Sequence, residues 1–165
     1  LKMATKLNAT RRFRYLLTAR VIIEWREHTL FLMQKKERGG DYTLPGGKVD
    51  GDEFAKEALI REAQEEIGIK LTKKKLKLVH IQQRKLQSLI EVIFYFHATS
   101  WEGTPTILEP EKFSSFKWIP SDELPSRLPA ALKDALLKIA DAKNYSQFEP
   151  KTKVKMKKVK KKIED

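Results

Sequence analysis

The sequence predicts an α/β chain, with a mixed β-sheet lying between helices. Three observations carry this expectation. Runs rich in β-branched and aromatic residues recur along the chain. Two further segments carry apolar residues at helical spacing. Strands flank the first helix and the second comes at the end, an order that puts helices on both faces of a sheet.

Each element has its own signal. YLLTARVIIEW (15–25) and TLFLMQK (29–35) read as two strands joined by a short turn at 26–28. ERGGDYTLPGG (37–47) reads as loop, because its glycines and proline interrupt any regular element. DEFAKEALIREAQEEIG (52–68) reads as a helix: Asp52 caps the start, Phe54, Ala55, Ala58, Leu59, Ala63 and Ile67 form an apolar stripe, and Gly68 stops it. LKLVHIQQ (76–83) and LIEVIFYFHA (89–98) are two more strands. A loop with Gly103, Pro105 and Pro110 leads to a short strand near SFKWI (115–119). PAALKDALLKIADA (129–142) is the second helix, with its stripe through Leu132, Ala135, Leu136 and Ile139. No internal repeat is visible. The expected organisation is one domain over residues 1–148 and a lysine-rich tail over 149–165.

Composition narrows the function classes. The chain has 165 residues, 41% of them hydrophobic, enough for a buried core. The absence of cysteine excludes disulfides and thiolate metal sites and fits a reducing, cytoplasmic setting. Its apolar runs, such as VIFYF (92–96), fall far short of the roughly 20 residues that a membrane helix needs, so no membrane is expected. Residues 1–23 carry Lys2, Lys6, Arg11, Arg12, Arg14 and Arg20 without an acid, superficially like a transit peptide, but 15–23 reads better as a first strand. Half of the net charge of +12 sits in residues 151–165, where eight lysines face only Glu164 and Asp165. Such a block reads as a solvated tail; a nucleic-acid arm is electrostatically possible but not favoured.

The chemistry concentrates in REAQEEIG (61–68). On a helix, Glu62, Glu65 and Glu66 share one face, an arrangement that like-charge repulsion destabilises by a few tenths of a kcal/mol, roughly, per pair. Carboxylates and carbonyl oxygens are the ligands that Mg²⁺ and Mn²⁺ prefer, so divalent ions would stabilise this face. Arg61 can hold one glutamate in a bidentate pair and orient the cluster. PGG (45–47) lets backbone approach a ligand and offers carbonyl oxygens to a metal. Taken alone, three clustered glutamates are also what an ordinary solvated helix carries.

The neighbours decide between these readings. Gly47, five residues, Glu53, seven residues, then Arg61-Glu62-Ala63-Gln64-Glu65-Glu66-Ile67-Gly68-Ile69 resembles the Nudix box, the signature of Nudix hydrolases. Every fixed polar or glycine position is met; Ala63 replaces a usually larger aliphatic residue, which touches packing and leaves the carboxylates intact. The similarity extends more loosely over residues 15–148, and WEGTPTILE (101–109) looks like the segment of MutT-type nucleoside triphosphate diphosphatases that supplies a further carboxylate. Glu109 is that candidate, with Glu111 close behind. The block 109–125 is similar to oxidised-purine nucleotide diphosphatases, with Phe113 at a position where cysteine is frequent.

The resemblance implies a Nudix α/β/α sandwich. It also implies hydrolysis of a nucleoside triphosphate, such as 8-oxo-dGTP or a related deoxynucleotide, to nucleoside monophosphate and pyrophosphate. Glu62, Glu65, Glu66 and Glu109, with the Gly46 carbonyl, would hold Mg²⁺ or Mn²⁺. Glu65 or Glu109 would take the proton from the attacking water, and Glu53 and Arg61 would orient the helix and its ligands. Lys35, Gly47 and Lys48 are candidate phosphate contacts; Phe113 and Trp118 are candidates to stack on a base, and Asp122 to accept from its edge. His28, His80 and His97 have no ligand-like spacing and read as structural. Two alternatives stay open: the same chemistry on RNA 5′ ends or dinucleoside polyphosphates, and a non-catalytic nucleotide-binding regulator, against which the intact set of glutamates argues.

Overall fold

A computed structural model describes residues 14–87 and 89–150; the basic residues 1–13 and the lysine-rich segment 151–165 lie outside the described residues. Seven strands form the sheet: β1 (Arg14–Trp25), β2 (His28–Gln34), β3 (Tyr42–Thr43), β4 (Leu76–Lys85), β5 (Leu89–Ala98), β6 (Phe113–Pro120) and β7 (Tyr145–Phe148). Helices α1 (Ala55–Ile67) and α2 (Ala130–Ala140) complete it. The strand order is β3-β2-β1-β5-β4-β7, with β6 on the other edge of β2. Among the described residues no helix is long and apolar enough to cross a membrane.

The expected sandwich follows from the two-residue period of β1. Ala19, Val21 and Ile23 face one way and pack with Leu30, Leu32, Phe96 and Ala98 beneath Leu59, Ala63 and Ile67 of α1. Ile22 faces the other way and packs with Phe31, Ile93 and Tyr95 beneath Leu132 and Ala135 of α2. Each helix turns one apolar stripe to the sheet, so the two cores lie on opposite faces.

The pairing of β1 sets the position of the cleft. It runs parallel to β5 from Arg14 opposite Leu89 to Ile23 opposite Ala98. With β2 it pairs only at Glu24–Thr29 and Trp25–His28, so the two strands diverge beyond that end. Residues 45–49 fill the gap and bond the open edge of β1. Val21 N–H donates to the Pro45 carbonyl (3.0 Å), Ala19 N–H to Gly47 (2.9 Å) and Val49 N–H to Leu17 (2.9 Å).

Three expectations need correction. α1 starts at Ala55 rather than at 52, with Phe54 at the cap position. Its backbone N–H is bonded by Glu57 (2.8 Å) and its side chain is exposed, outside the apolar stripe. The cause is Glu53, which engages Arg61 and the Asp50 N–H and so turns residues 50–53 across the helix start. The glycine-rich loop contains β3, whose two residues pair with β2 at Met33 and Leu32, and a further strand, β7, follows α2 and pairs with β4. Buried His80 anchors β7 through Ser146 Oγ and the Lys143 carbonyl, each at 2.8 Å, in the structural role its sequence context suggested.

The face beneath α2 also buries a charge. Glu91 is bonded by Thr18 Oγ1 at 2.7 Å and by the Arg84 guanidinium. Arg84→Met should therefore cost on the order of 3 kcal/mol, because it leaves a buried carboxylate with one neutral partner. Melting should shift down by roughly 6–12 °C. A shift below 2 °C would show that the pair carries no such burden.

Candidate active site

The site forms where α1, the loop at 45–49 and the loop ahead of β6 meet beside the diverging end of β1. Arg61 is its hub. Its Nη2 and Nε donate to the two carboxylate oxygens of Glu53 at 2.7 and 3.2 Å. Its Nη1 donates to Glu62 (3.0 Å) and Glu65 (3.2 Å), and Nη2 also reaches the Lys48 carbonyl at 3.3 Å. A planar fork of five donors suits this task where an ammonium would not. The hydrogen bond from Arg61 holds the Glu53 carboxyl below its ordinary value, and the same pair holds the Arg61 guanidinium above its own.

Glu66 differs from its neighbours. It is 3% exposed, and its Oε2 accepts from the Gly46 N–H at 2.8 Å. Burial pushes its carboxyl up to about 8 against the opposing pull of the Gly46 N–H and Arg20, with Glu62 and Glu109 adding in the same direction as burial. Glu109 comes from the loop wrapped around the end of α1, where Thr106 N–H bonds the Ile67 carbonyl (3.0 Å) and Leu108 N–H the Glu66 carbonyl (2.9 Å). Lys112 pairs with Glu109 Oε1 at 2.7 Å, which raises the lysine's own pKa, while Glu109 Oε2 is buried without a partner.

The two glycines are set by contact. Gly46 has φ +127°, and a Cβ there would lie 2.2 Å from the Ala19 carbonyl oxygen. At Gly47 a Cβ would lie 2.1 Å from Glu62 Oε1. The Gly46 carbonyl, expected to face a metal, accepts from Arg20 Nη1 at 2.5 Å, and the same nitrogen donates to the Leu44 carbonyl at 3.0 Å. One carbonyl lone pair remains.

Gly46 and Gly47 border a cleft of about 370 Å³ in which Arg20, Arg38, Lys48 and Lys112 face Asp50, Glu62 and Glu66, with Phe113 as an apolar wall. A buried carboxylate pushed toward its neutral form, an orphaned carboxylate oxygen beside it and an all-oxygen donor set are what a hard divalent cation satisfies, so the residues fit one. As the side chains stand, no group of three or more acids or histidines among the described residues is placed to hold an ion, since Arg61 occupies Glu62 and Glu65. Arg61→Lys should lower turnover or ion affinity about 10- to 100-fold with little change in melting, as for other residues that orient ligands. Unchanged kinetics in that variant would remove Arg61 from the machinery.

The structure thus brings together Glu53, Arg61, Glu62, Glu65, Glu66, Gly46, Gly47, Lys48, Glu109 and Phe113. Lys35 does not border the cleft; its backbone N–H bonds the Lys112 carbonyl at 3.0 Å and moors the loop. Trp118 and Asp122 lie apart. Phe113 pairs with Gln34 at one end of β2 and Pro120 with His28 at the other, about 20 Å away by strand rise. Asp122 sits at that far end with Glu24, Glu27 and His28. Sequence reasoning missed Arg20, Arg38 and Lys112. Arg20 had a usable signal: in a strand buried on both faces, its even position turns it inward, and an inward arginine needs acceptors.

Comparison with known proteins agrees with this fold. The family model of the NUDIX domain matches residues 14–140. The CTP pyrophosphohydrolase of Escherichia coli (strain K12) is 30% identical over 105 residues, covering 62% of this chain and 73% of that enzyme. The 8-oxo-dGTP diphosphatase of Proteus vulgaris is 42% identical over 50 residues, covering 28% of this chain and 45% of the other. Among solved structures, a MutT NUDIX hydrolase from Burkholderia pseudomallei superposes with a TM-score of 0.68 at 28% identity, covering 75% of this chain and 97% of that one.

Proposed function

The chain belongs to the NUDIX domain family and is a hydrolase, and from that premise we propose that it cleaves a nucleoside triphosphate to nucleoside monophosphate and pyrophosphate. One observation carries the reading: the buried Glu66 carboxylate opens onto a cleft in which the cations Arg20, Arg38, Lys48 and Lys112 outnumber the acids Asp50, Glu62 and Glu66. A triphosphate brings about four negative charges and needs such a cleft before water can reach phosphorus.

Arg20, Lys48 and Lys112 bind the phosphate oxygens and hold the chain of phosphates in line. Gly46 and Gly47 keep the cleft floor free of side chains. Glu65, whose side chain is 49% exposed and the most accessible of the three helix glutamates, takes the proton of the attacking water. Arg61 and Glu53 hold that glutamate in register, and Phe113 excludes water on one side. Mg²⁺ or Mn²⁺, held by Glu62, Glu65, Glu66 and Glu109 with the free lone pair of the Gly46 carbonyl, would supply charge neutralisation and activation of water.

The test is a nucleotide panel with Mg²⁺ or Mn²⁺ that includes 8-oxo-dGTP, dGTP, CTP and dCTP, with 5′-triphosphate RNA alongside. Pyrophosphate is the expected product from at least one nucleotide. Release of orthophosphate alone, or turnover confined to RNA, would overturn the proposal.

A further inference from the structure

All three tryptophans of the chain meet at one place outside the cleft. Trp25 ends β1, Trp118 lies in β6, and Trp101 begins the loop after β5. Ring centroids are 5.9 Å apart for Trp25–Trp118 and 6.2 Å for Trp101–Trp118, the latter pair inclined by only 27°. With Gly103, Thr104 and Pro105 they border a cavity of about 270 Å³. Trp25 is 50% exposed and the other two are half-buried. Trp101 and Trp118 pack against the core beneath α1 and still leave part of their rings open to the cavity.

A second feature adjoins the first. Lys70 and Glu102 form a backbone bridge, with N–H···O distances of 2.9 and 3.1 Å, so Glu102 is held between Trp101 and Gly103. Thr99 N–H bonds the Lys75 carbonyl at 2.9 Å. The segment so attached carries exposed Lys70, Lys73, Lys74, Lys75 and Lys77, and 73–75 form a single 3₁₀ turn with no buried residue. Glu57 pairs with Lys73, and Glu102 stands opposite Lys70. Lys74, Lys75 and Lys77 have no acidic partner among the described residues. On the other side of the pocket, the Arg26 guanidinium lies 4.5 Å from the centre of the Trp25 ring.

We propose that this surface binds single-stranded nucleic acid, one base entering the tryptophan pocket while backbone phosphates lie on Lys74 and Lys75. Each half of the guest answers one half of the surface. Every base offers a flat π-face to an aromatic ring, and stacking combined with a basic track is how sequence-tolerant single-strand binding works. A duplex keeps its bases stacked on each other. The cavity is smaller than the usual range for drug-sized ligands and suits one ring system. The inference is independent of the hydrolase reading, because neither Trp25 nor the lysines touch the cleft.

The tryptophans make the test specific, since the chain's entire indole fluorescence arises at this pocket. The full chain is titrated with a fluorescein-labelled 12-nucleotide single strand at several salt concentrations, reading anisotropy and tryptophan emission together, and with the matching duplex. Emission should be quenched in step with the rise in anisotropy, by the single strand and not by the duplex. Trp25→Ala should weaken binding roughly 5- to 100-fold without changing its salt dependence. The double substitution Lys74→Gln and Lys75→Gln should lower the slope of log affinity against log salt by about 1.4, at roughly 0.7 for each lysine. Mononucleotide hydrolysis should be unchanged in both. No binding, binding without quenching, equal quenching by duplex, or binding that survives both variants but disappears on deleting residues 151–165 would each overturn the proposal.

Discussion

Glu66→Gln should abolish turnover, by at least two to three orders of magnitude, and at the same time stabilise the protein in the presence of a chelator at pH 8. The second effect follows from burial. The Glu66 carboxyl is raised from 4.5 to about 8 on folding, so the folded chain binds this proton more tightly than the unfolded chain does. Stability is therefore greatest below about pH 4.5, falls as pH rises through 8 and levels off above it. At roughly 1.4 kcal/mol per pK unit, the loss amounts to several kcal/mol. Glutamine keeps an acceptor for the Gly46 N–H and carries no charge to desolvate. Melting curves in EDTA should show the parent losing stability between pH 5 and 8 and the variant losing much less. Added Mg²⁺ should restore the parent alone. Parallel pH profiles would mean that the buried carboxylate carries no such burden. Glu65→Gln, at an exposed position, should lose turnover by a similar factor with no stability gain; near-normal rates in both variants would defeat the catalytic assignment.

The adjacent glycines should fail in different ways when changed to alanine. At position 46 the new Cβ would sit 2.2 Å from a backbone oxygen of β1, in a left-handed conformation that alanine rarely adopts. Neither the strand nor the loop can yield without breaking the bonds between them, so a cost of roughly 3–5 kcal/mol is expected. At position 47 the nearest atom, at 2.1 Å, is the far end of the Glu62 side chain, held only by Arg61. That carboxylate can swing aside, so stability should change by about 1 kcal/mol or less, while turnover falls on the order of 100-fold, as it does when a reacting group is misplaced by an ångström. Chemical denaturation and steady-state kinetics on the two proteins check this. Equal stability losses would mean that Gly47 also carries a backbone constraint.

What was legible in the sequence was what is local in it. The acidic face of α1 could be seen because helix geometry fixes which of residues 61–68 are neighbours, and Gly47 and Glu53 could be joined to it by spacing. The strands were visible from composition, but not their partners. The parallel pairing of β1 with β5 joins residues some 75 positions apart, and no local pattern encodes it. β3 was hidden because two residues between glycines give no periodicity. The start of α1 is hard to read because Asp52 is a good cap by type, while Glu53 is committed to Arg61, eight residues on. Arg38 and Lys112 in the cleft are not legible for the same reason as the tryptophan cluster: they, Trp25, Trp101 and Trp118 gain their meaning only from what folds against them.

The divergence of β1 from β2 has a mechanical consequence. The two halves of the sheet meet like the covers of a book bound only at the top of its spine, along Glu24–Thr29 and Trp25–His28. Beyond that corner the board is completed by loop: three amide-to-carbonyl stitches at Leu17, Ala19 and Val21, with Arg20 on the Leu44 and Gly46 carbonyls, fasten it to the open edge of β1. The floor beneath the glutamate-bearing cover is thus a stitched-on loop rather than a strand of the sheet.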